Sequence, residues 1–217
     1  MAVWLTLRLA ACTTGILFVT CLPVAYWLAT SPRKWKVLVD AAVALPLVLP
    51  PTVIGFYVLA ATGPRSPLGR LVVSLTGHSL PFTFGGILVG SVLYNLPFAI
   101  RPFAAGFAAV DRRLVEASWC LGVSRLGTFF RVVVPLSWAG ILTGLVLTFA
   151  HAVGEFGVVL MLGGNIPGVT RTISVAIYDD VQALDYEAAG TTALLLVGFA
   201  FVVLCVTYAL QRRFTPL

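Results

Sequence analysis

Five stretches of this chain run almost free of charge: Leu9 to Ala29, Leu38 to Ala61, Phe82 to Ile100, Leu136 to Leu162 and Thr191 to Leu210. An α-helix needs about 20 apolar residues to cross the hydrocarbon core of a bilayer, and each stretch meets that length. The third and fifth hold no charge at all. The second has only Asp40 near its edge, and the fourth holds His151 and Glu155. Only 10% of residues are charged and 59% are hydrophobic, where a soluble domain carries about 25% charge. The outside must therefore face lipid. The expected fold is an all-α integral membrane protein, with residues 1–217 forming one domain of about five transmembrane helices. No repeat or linker divides it.

Arg8, the apolar run after it and Cys21 are arranged a little like a leader peptide. The run continues past Cys21 to Ala29, however, and Thr20 is a poor cleavage position, so the segment reads as a span. Leu68 to Leu80 is too short for a sixth crossing and contains Arg70 and His78; it reads as a helix lying on the outer surface. With five spans, one side receives Arg33, Lys34, Lys36, Arg101, Arg112, Arg113, Arg125, Arg131, Arg212 and Arg213. The other receives Arg8, Arg65, Arg70 and Arg171. The positive-inside rule places the richer side in the cytoplasm. The N-terminus is then outside and the C-terminus cytoplasmic, in a bacterial inner membrane. The basic residues are too dispersed along the chain to form a run that binds nucleic acid or anionic lipid headgroups. Cys12, Cys21, Cys120 and Cys205 stand singly, without disulfide or zinc spacing, and read as small apolar residues.

Between the third and fourth spans, roughly residues 106–135, the apolar pattern stops. Asp111 is a plausible N-cap for a short amphipathic helix over Leu114 to Leu121. Gly122 breaks that helix with a left-handed turn, Ser124 starts a second short helix, and Pro135 marks entry to the fourth span. Trp119, Phe129 and Phe130 would be unfavourable in water, so this surface is expected to dock. Gly122 to Gly127 has the glycine spacing of a phosphate loop. Thr128 and Phe129 stand where Lys and Ser/Thr are needed, and no strand precedes it, so ATP hydrolysis is not expected on this chain.

Glu116-Ala117-Ser118, Gly122 four residues on, and Val132-x-Val134-Pro135 resemble the Glu-Ala-Ala loop of ATP-binding-cassette (ABC) importer permeases. Ser118 replaces the second Ala and Val134 replaces Leu. The resemblance implies a type I ABC importer permease fold whose loop is a coupling helix fitted into a cytoplasmic ATPase. It casts Glu116, Ala117, Ser118, Trp119, Gly122, Phe129 and Pro135 as coupling residues: Glu116 fixing the loop by capping or ion pairing, Gly122 giving the bend, Trp119 and Phe129 giving buried contact. "LPLVLPPTVIGFYVL" from Leu45, "GEFG" from Gly154 and "GNIPGVTRTISVAIY" from Gly164 resemble the molybdate permease branch, and less closely the sulfate branch. Implied partners are a second copy of the chain, two ABC ATPase subunits carrying ATP and Mg, and a periplasmic or lipid-anchored oxyanion-binding protein. The chain itself would be a transport subunit without catalytic residues, metal or cofactor. Molybdate is the expected substrate, with tungstate or sulfate as alternatives.

A tetrahedral dianion needs a wet path, since stripping its water would cost tens of kcal/mol. Pro46, Pro50 and Pro51 bend the second span, either to frame such a path or only for packing. Gly90, Ser91, Asn95, Thr143 and Thr148 offer small or hydroxylic surfaces, each as well suited to helix packing as to a pore. Glu155 is the carboxylate deep in a span, with His151 four residues earlier and expected on the same face. The pair reads as structural, or as a gate or interface element; two ligands without a third make a poor metal site. Arg171, after Asn165 in a Gly-, Asn- and Thr-rich outer loop, reads as a solvated or helix-ending residue, or as a contact for anions or a binding protein. An ion-coupled secondary transporter with Glu155 as its proton group is the competing function; the chain shows no inverted repeat to support it.

Overall fold

The structure is a computed structural model describing residues 1–214. The side chains at 207, 208 and 210–214 lie outside the described residues, and with them Arg212 and Arg213 of the orientation argument. The helices are α1 (Ala2–Thr30), α2 (Lys36–Val48), α3 (Pro51–Thr62), α4 (Pro67–Thr76), α5 (Phe84–Ala108), α6 (Arg112–Cys120), α7 (Arg125–Thr128), α8 (Val134–Leu136), α9 (Trp138–Val153), α10 (Gly157–Gly163), α11 (Ile173–Gln182) and α12 (Tyr186–Phe214). One π-helical turn, Phe129–Val133, joins α7 to α8.

Among the described residues three helices, α1, α5 and α12, are each long and apolar enough to cross a membrane, and up to five spans result where each of two bent pairs counts as one. The second expected span is not one rod. It breaks into α2 and α3, bent by 111°. Leu49 and Pro50 take extended backbone, because a residue before proline is pushed out of the helical region, and Pro50 and Pro51 stand in succession. The third helix runs to Ala108, eight residues beyond the expected Ile100, and takes Arg101 into its last turns. The expected fourth span, Leu136 to Leu162, is divided at both ends. A 72° bend at Ser137 separates it from the preceding helix. A break over residues 154–156 then separates α9 from α10.

Helix α5 is the hub, packed along α1 on one side and α9 on the other. Two apolar clusters fill opposite ends. At one, Leu17, Cys21, Ala25 and Leu28 of α1 meet Ala99, Phe103 and Phe107 of α5, Val43 of α2 and Ile141 of α9. At the other, Leu9 and Ile87 meet Val58 of α3 and Val158, Val159 and Leu162 of α10. The Phe82 N–H donates to the Leu162 carbonyl at 2.7 Å, and the Ile173 N–H to Thr6 Oγ1 at 2.9 Å. The starts of α1, α5 and α11 and the end of α10 therefore share one end of the bundle. Tyr26, Phe107 and Phe129 stack edge to face at the opposite end. The segments expected on one side of the membrane do gather at one end. Helix α12 packs on α11 and α9, with Leu196 and Phe199 against Ala10, Ala152 and Val153. Its Leu194, Val197 and Phe201 stand 65–73% exposed, a face fit for lipid or another chain.

Where α5 crosses α9, Gly106 and Gly140 face each other. A Cβ on Gly140 would stand 2.6 Å from Gly106 Cα and 2.8 Å from the Pro102 carbonyl oxygen. Backbone cannot move aside as a side chain can, so the helices would have to part. Gly140→Val is expected to cost about 1–3 kcal/mol, the usual range for overpacking, and to lower the thermal unfolding midpoint in detergent. A midpoint equal to the parent's would show that the crossing is loose.

Candidate functional site

The segment between α5 and α9 folds as an angled pair of short helices. Asp111 caps α6, its Oδ1 accepting from the Arg113 N–H at 2.9 Å. Gly122 sits at φ +79° with open space where a Cβ would go, so it supplies the turn through backbone alone. Ser124 caps α7, accepting from the Gly127 N–H at 3.2 Å. Across the turn, the buried hydroxyls of Ser118 and Thr128 lie 2.9 Å apart and the Val123 N–H donates to the Ser118 carbonyl at 3.1 Å. These two bonds fix the angle between the helices. Thr128 was not legible as a partner; it stood out in sequence only as a missing phosphate-loop lysine.

Glu116 pairs with Arg112 one turn earlier, Nε to Oε1 at 3.2 Å, both on the surface. It braces α6 and closes no contact with the bundle. Ala117 lies exposed beside it. Trp119, Leu121, Leu126 and Phe130 form an exposed apolar crest, with Leu121 84% exposed. Phe129 makes its buried contact within the chain. It is half-buried against Tyr26 and Phe107, so it anchors the loop to its own bundle, and Phe130 takes its place on the outer surface. Pro135 lies in α8 just past the π-helical turn, where a missing N–H disturbs little.

The second site is a buried polar chain between α1, α5 and the end of α9. Thr13 donates to Ser91 Oγ at 3.1 Å, and Ser91 donates to Glu155 Oε2 at 2.6 Å. Asn95 Nδ2 reaches the same oxygen at 3.1 Å, while Asn95 Oδ1 lies 2.9 Å from His151 Nδ1. Ser91 and Asn95 are fully buried, and Glu155 is 4% exposed. His151 lies flat on Phe98, centroids 3.9 Å apart. The expected direct His151–Glu155 contact does not form, because α9 ends at Val153 and helical spacing no longer applies beyond it. Asn95 sits between them instead. Glu155 Oε1 is buried without a hydrogen-bond partner. Among the described residues no third metal-ligating side chain joins the pair.

Asn165 and Arg171 are not part of this cluster. Asn165 is exposed in the loop after α10. Arg171 is no free surface arginine; it is half-buried and paired with Asp179 of α11. That loop is pinned by Thr170, whose Oγ1 donates to the Gly163 carbonyl at 2.7 Å and accepts from the Ile166 N–H at 3.2 Å.

Buried polar groups at a helix crossing, a break beside them and an angled helix pair at one end are the features this helical bundle offers for function. Comparison with known proteins carries this further. Residues 22–216 match the family described as "Binding-protein-dependent transport system inner membrane component", and the chain belongs to that family. It is 49% identical over 213 residues to a molybdenum transport system permease protein of Azotobacter vinelandii, covering 98% of this chain and 94% of that one. It is 34% identical to the Escherichia coli K12 protein of the same description, covering 82% and 78%. A probable sulfate transport permease of Chlorella vulgaris is 33% identical, covering 85% and 70%. Among solved structures, a methionine ABC transporter in an inward-facing conformation superposes with a TM-score of 0.75 at 19% identity, covering 99% and 95%. A bacterial alginate ABC importer gives 0.77 at 18%, covering 99% and 79%. The fold is that of the ABC importer permeases. The chain is a multi-pass, non-enzymatic transport subunit, and the ion-coupled alternative falls away.

The buried chain predicts a graded response. Asn95→Ala strips partners from both Glu155 and His151, and each unsatisfied buried group costs about 1–3 kcal/mol. His151→Phe keeps a ring against Phe98 and leaves both Glu155 contacts in place, freeing only Asn95 Oδ1, and should cost less. Thermal unfolding of the two variants in detergent checks the order; equal losses would remove Asn95 from the centre of the network.

Proposed function

We propose that this chain is the membrane path of an ATP-driven importer of molybdate, with tungstate as a close chemical substitute. The near full-length likeness to the Azotobacter vinelandii permease carries this reading. Sulfate is the second reading, supported by the weaker likeness to the algal permease. Two copies would frame the pathway, with two ATPase subunits holding ATP and Mg in the cytoplasm and a periplasmic or lipid-anchored oxyanion-binding protein delivering substrate. The end bearing α6 and α7 would face the cytoplasm, placing the N-terminus outside.

In this reading the apolar crest of Trp119, Leu121 and Phe130 enters the ATPase. The Ser118–Thr128 bond keeps α6 and α7 moving as one piece, and Glu116, with Ala117 at its side, stiffens α6 through Arg112. Phe129 passes the motion to α1 and α5 through Tyr26 and Phe107. Pro135 and the 72° bend at Ser137 form the joint through which the loop swings α9. Motion of α9 pulls on Glu155, whose unpartnered oxygen offers a lone pair to whichever donor arrives in the alternate state. Glu155 and His151 would thus be a gate element, with Asn95 the part that exchanges partners. Asn165, exposed at the outer end, would meet the binding protein, and Arg171 would hold α11 in place through Asp179. A carboxylate walled in by Ser91 and Asn95 stays clear of the anion's path.

Uptake into vesicles holding the chain with its ATPase, with the oxyanion-binding protein supplied on the outer side, tests this reading. ATP should drive molybdate entry in excess of sulfate entry; a preference for sulfate would move the substrate to the second reading. Gly122→Val, a β-branched residue forced to positive φ, should insert normally and lose uptake. Gly122→Asn should retain most of it, since asparagine tolerates that conformation. Uptake unchanged in the valine variant would sink the coupling role.

Cys120 is exposed at the end of α6 and reports orientation directly. With Cys12, Cys21 and Cys205 replaced by alanine, an impermeant maleimide should label inside-out vesicles and spare right-side-out ones. The reverse pattern would invert the topology.

A further inference from the structure

Beneath the angled helix pair, where α1 and α5 end, lies a cavity of about 470 Å³. Its wall is Tyr26, Phe107, Val115 and Val133, and Arg112 and Arg125 are at its lining as well. Both arginines are exposed and weakly committed. Arg112 holds only the surface pair with Glu116, the kind that contributes little. Arg125 lies over the Trp119 ring, 5.8 Å from its centroid. Thr30 also lines the cavity, and Arg33, Lys34 and Lys36 follow it without an intervening acid.

We propose that this cavity is a binding site for one anionic phospholipid of the leaflet facing the coupling loop. Its phosphate would sit between Arg112 and Arg125, with its glycerol and first acyl carbons on the Tyr26–Phe107 wall. Size, polarity and position support the assignment. The volume lies within the range of about 300–1,000 Å³ usual for small-molecule sites. A bare tetrahedral oxyanion, only a few times the roughly 30 Å³ of a water, would fill little of it. An inorganic anion also gains nothing from an aromatic and aliphatic wall, whereas a lipid uses both halves. Two guanidinium groups present forked donors suited to phosphate oxygens. The two long apolar helices α1 and α5 end here, and basic pockets between the ends of spanning helices attract anionic headgroups. The site touches α1, α5, α6 and α7 together, so its lipid would prop the coupling loop against the bundle. The inference is independent of which oxyanion the chain transports.

Native mass spectrometry of the full-length chain in detergent, titrated with phosphatidylglycerol or phosphatidylethanolamine, tests it. One phosphatidylglycerol per chain should be retained, at least tenfold more tightly than phosphatidylethanolamine. Arg112→Ala with Arg125→Ala should weaken retention about tenfold. Thr30→Trp, which fills the cavity and keeps both arginines, should weaken it as much. Equal binding of the two lipids, retention unchanged in either variant, or full displacement by millimolar inorganic phosphate would each overturn the proposal. Should the variants aggregate, a photoactivatable phosphatidylglycerol added to the parent chain decides. Crosslinks within 26–30 or 107–133 support the site, and crosslinks confined elsewhere overturn it.

Discussion

Hydrocarbon offers no hydrogen-bond partner, so wherever this chain leaves the helix inside the membrane its freed backbone groups must be met by protein. The chain leaves the helix in several places, and bonds within the protein flank each one. At Pro50 the carbonyl accepts from the N–H groups of Val53 and Ile54, and the Leu49 N–H closes back on Leu45. At the break after α9, Gly154 bonds back to Ala150, and the Phe156 carbonyl accepts from Leu160. In the loop after α10 the single hydroxyl of Thr170 serves Gly163 and Ile166 at once. The Phe82 N–H completes the set by bonding to Leu162. Short helices such as α10 can exist at membrane depth only because α3 and α5 roof them.

That constraint explains where the polar side chains are. Thr13, Ser91 and Asn95 stand on α1 and α5 where those helices pass the end of α9, and they enclose the carboxylate that the break exposes. A permease needs such breaks because straight rods leave no joints. The bend at Ser137 and the break over residues 154–156 bracket α9, with the angled helix pair at one end and the buried carboxylate at the other. Two hydrogen bonds across the Gly122 turn and one aromatic cluster around Phe129 tie the helix pair together and to α1 and α5.

Particular residues show what was readable in advance. Asp111, Gly122 and Ser124 announced a capped helix, a left-handed turn and a second cap, and all three were found there, because capping and positive φ are local properties of a few residues. The five apolar runs gave the segments between them, and α4 lies where a short surface helix was expected. Boundaries within the second and fourth runs were misread. Apolar composition is the same for one rod or two, and a glycine–glutamate pair does not declare whether it interrupts a helix. Phe129 and Phe130 are identical in composition and adjacent; only the π-helical turn after Thr128 and the presence of Tyr26 decide which one faces inward. Arg171 looked unpaired because its partner, Asp179, comes from the next helix.

Sequence by itself determined the solvent, the helical class and the place of the docking loop, since these follow from hydropathy, charge and local backbone preference. Tertiary structure decided that Asn95, 56 residues from His151 and 60 from Glu155 in sequence, stands between them. It also decided that α9 is jointed at both ends and that a cavity opens under the loop. Those features depend on which helices cross at what depth. The crossing is set by close approaches such as Gly106 on Gly140, a contact between two residues that are each unremarked in the chain.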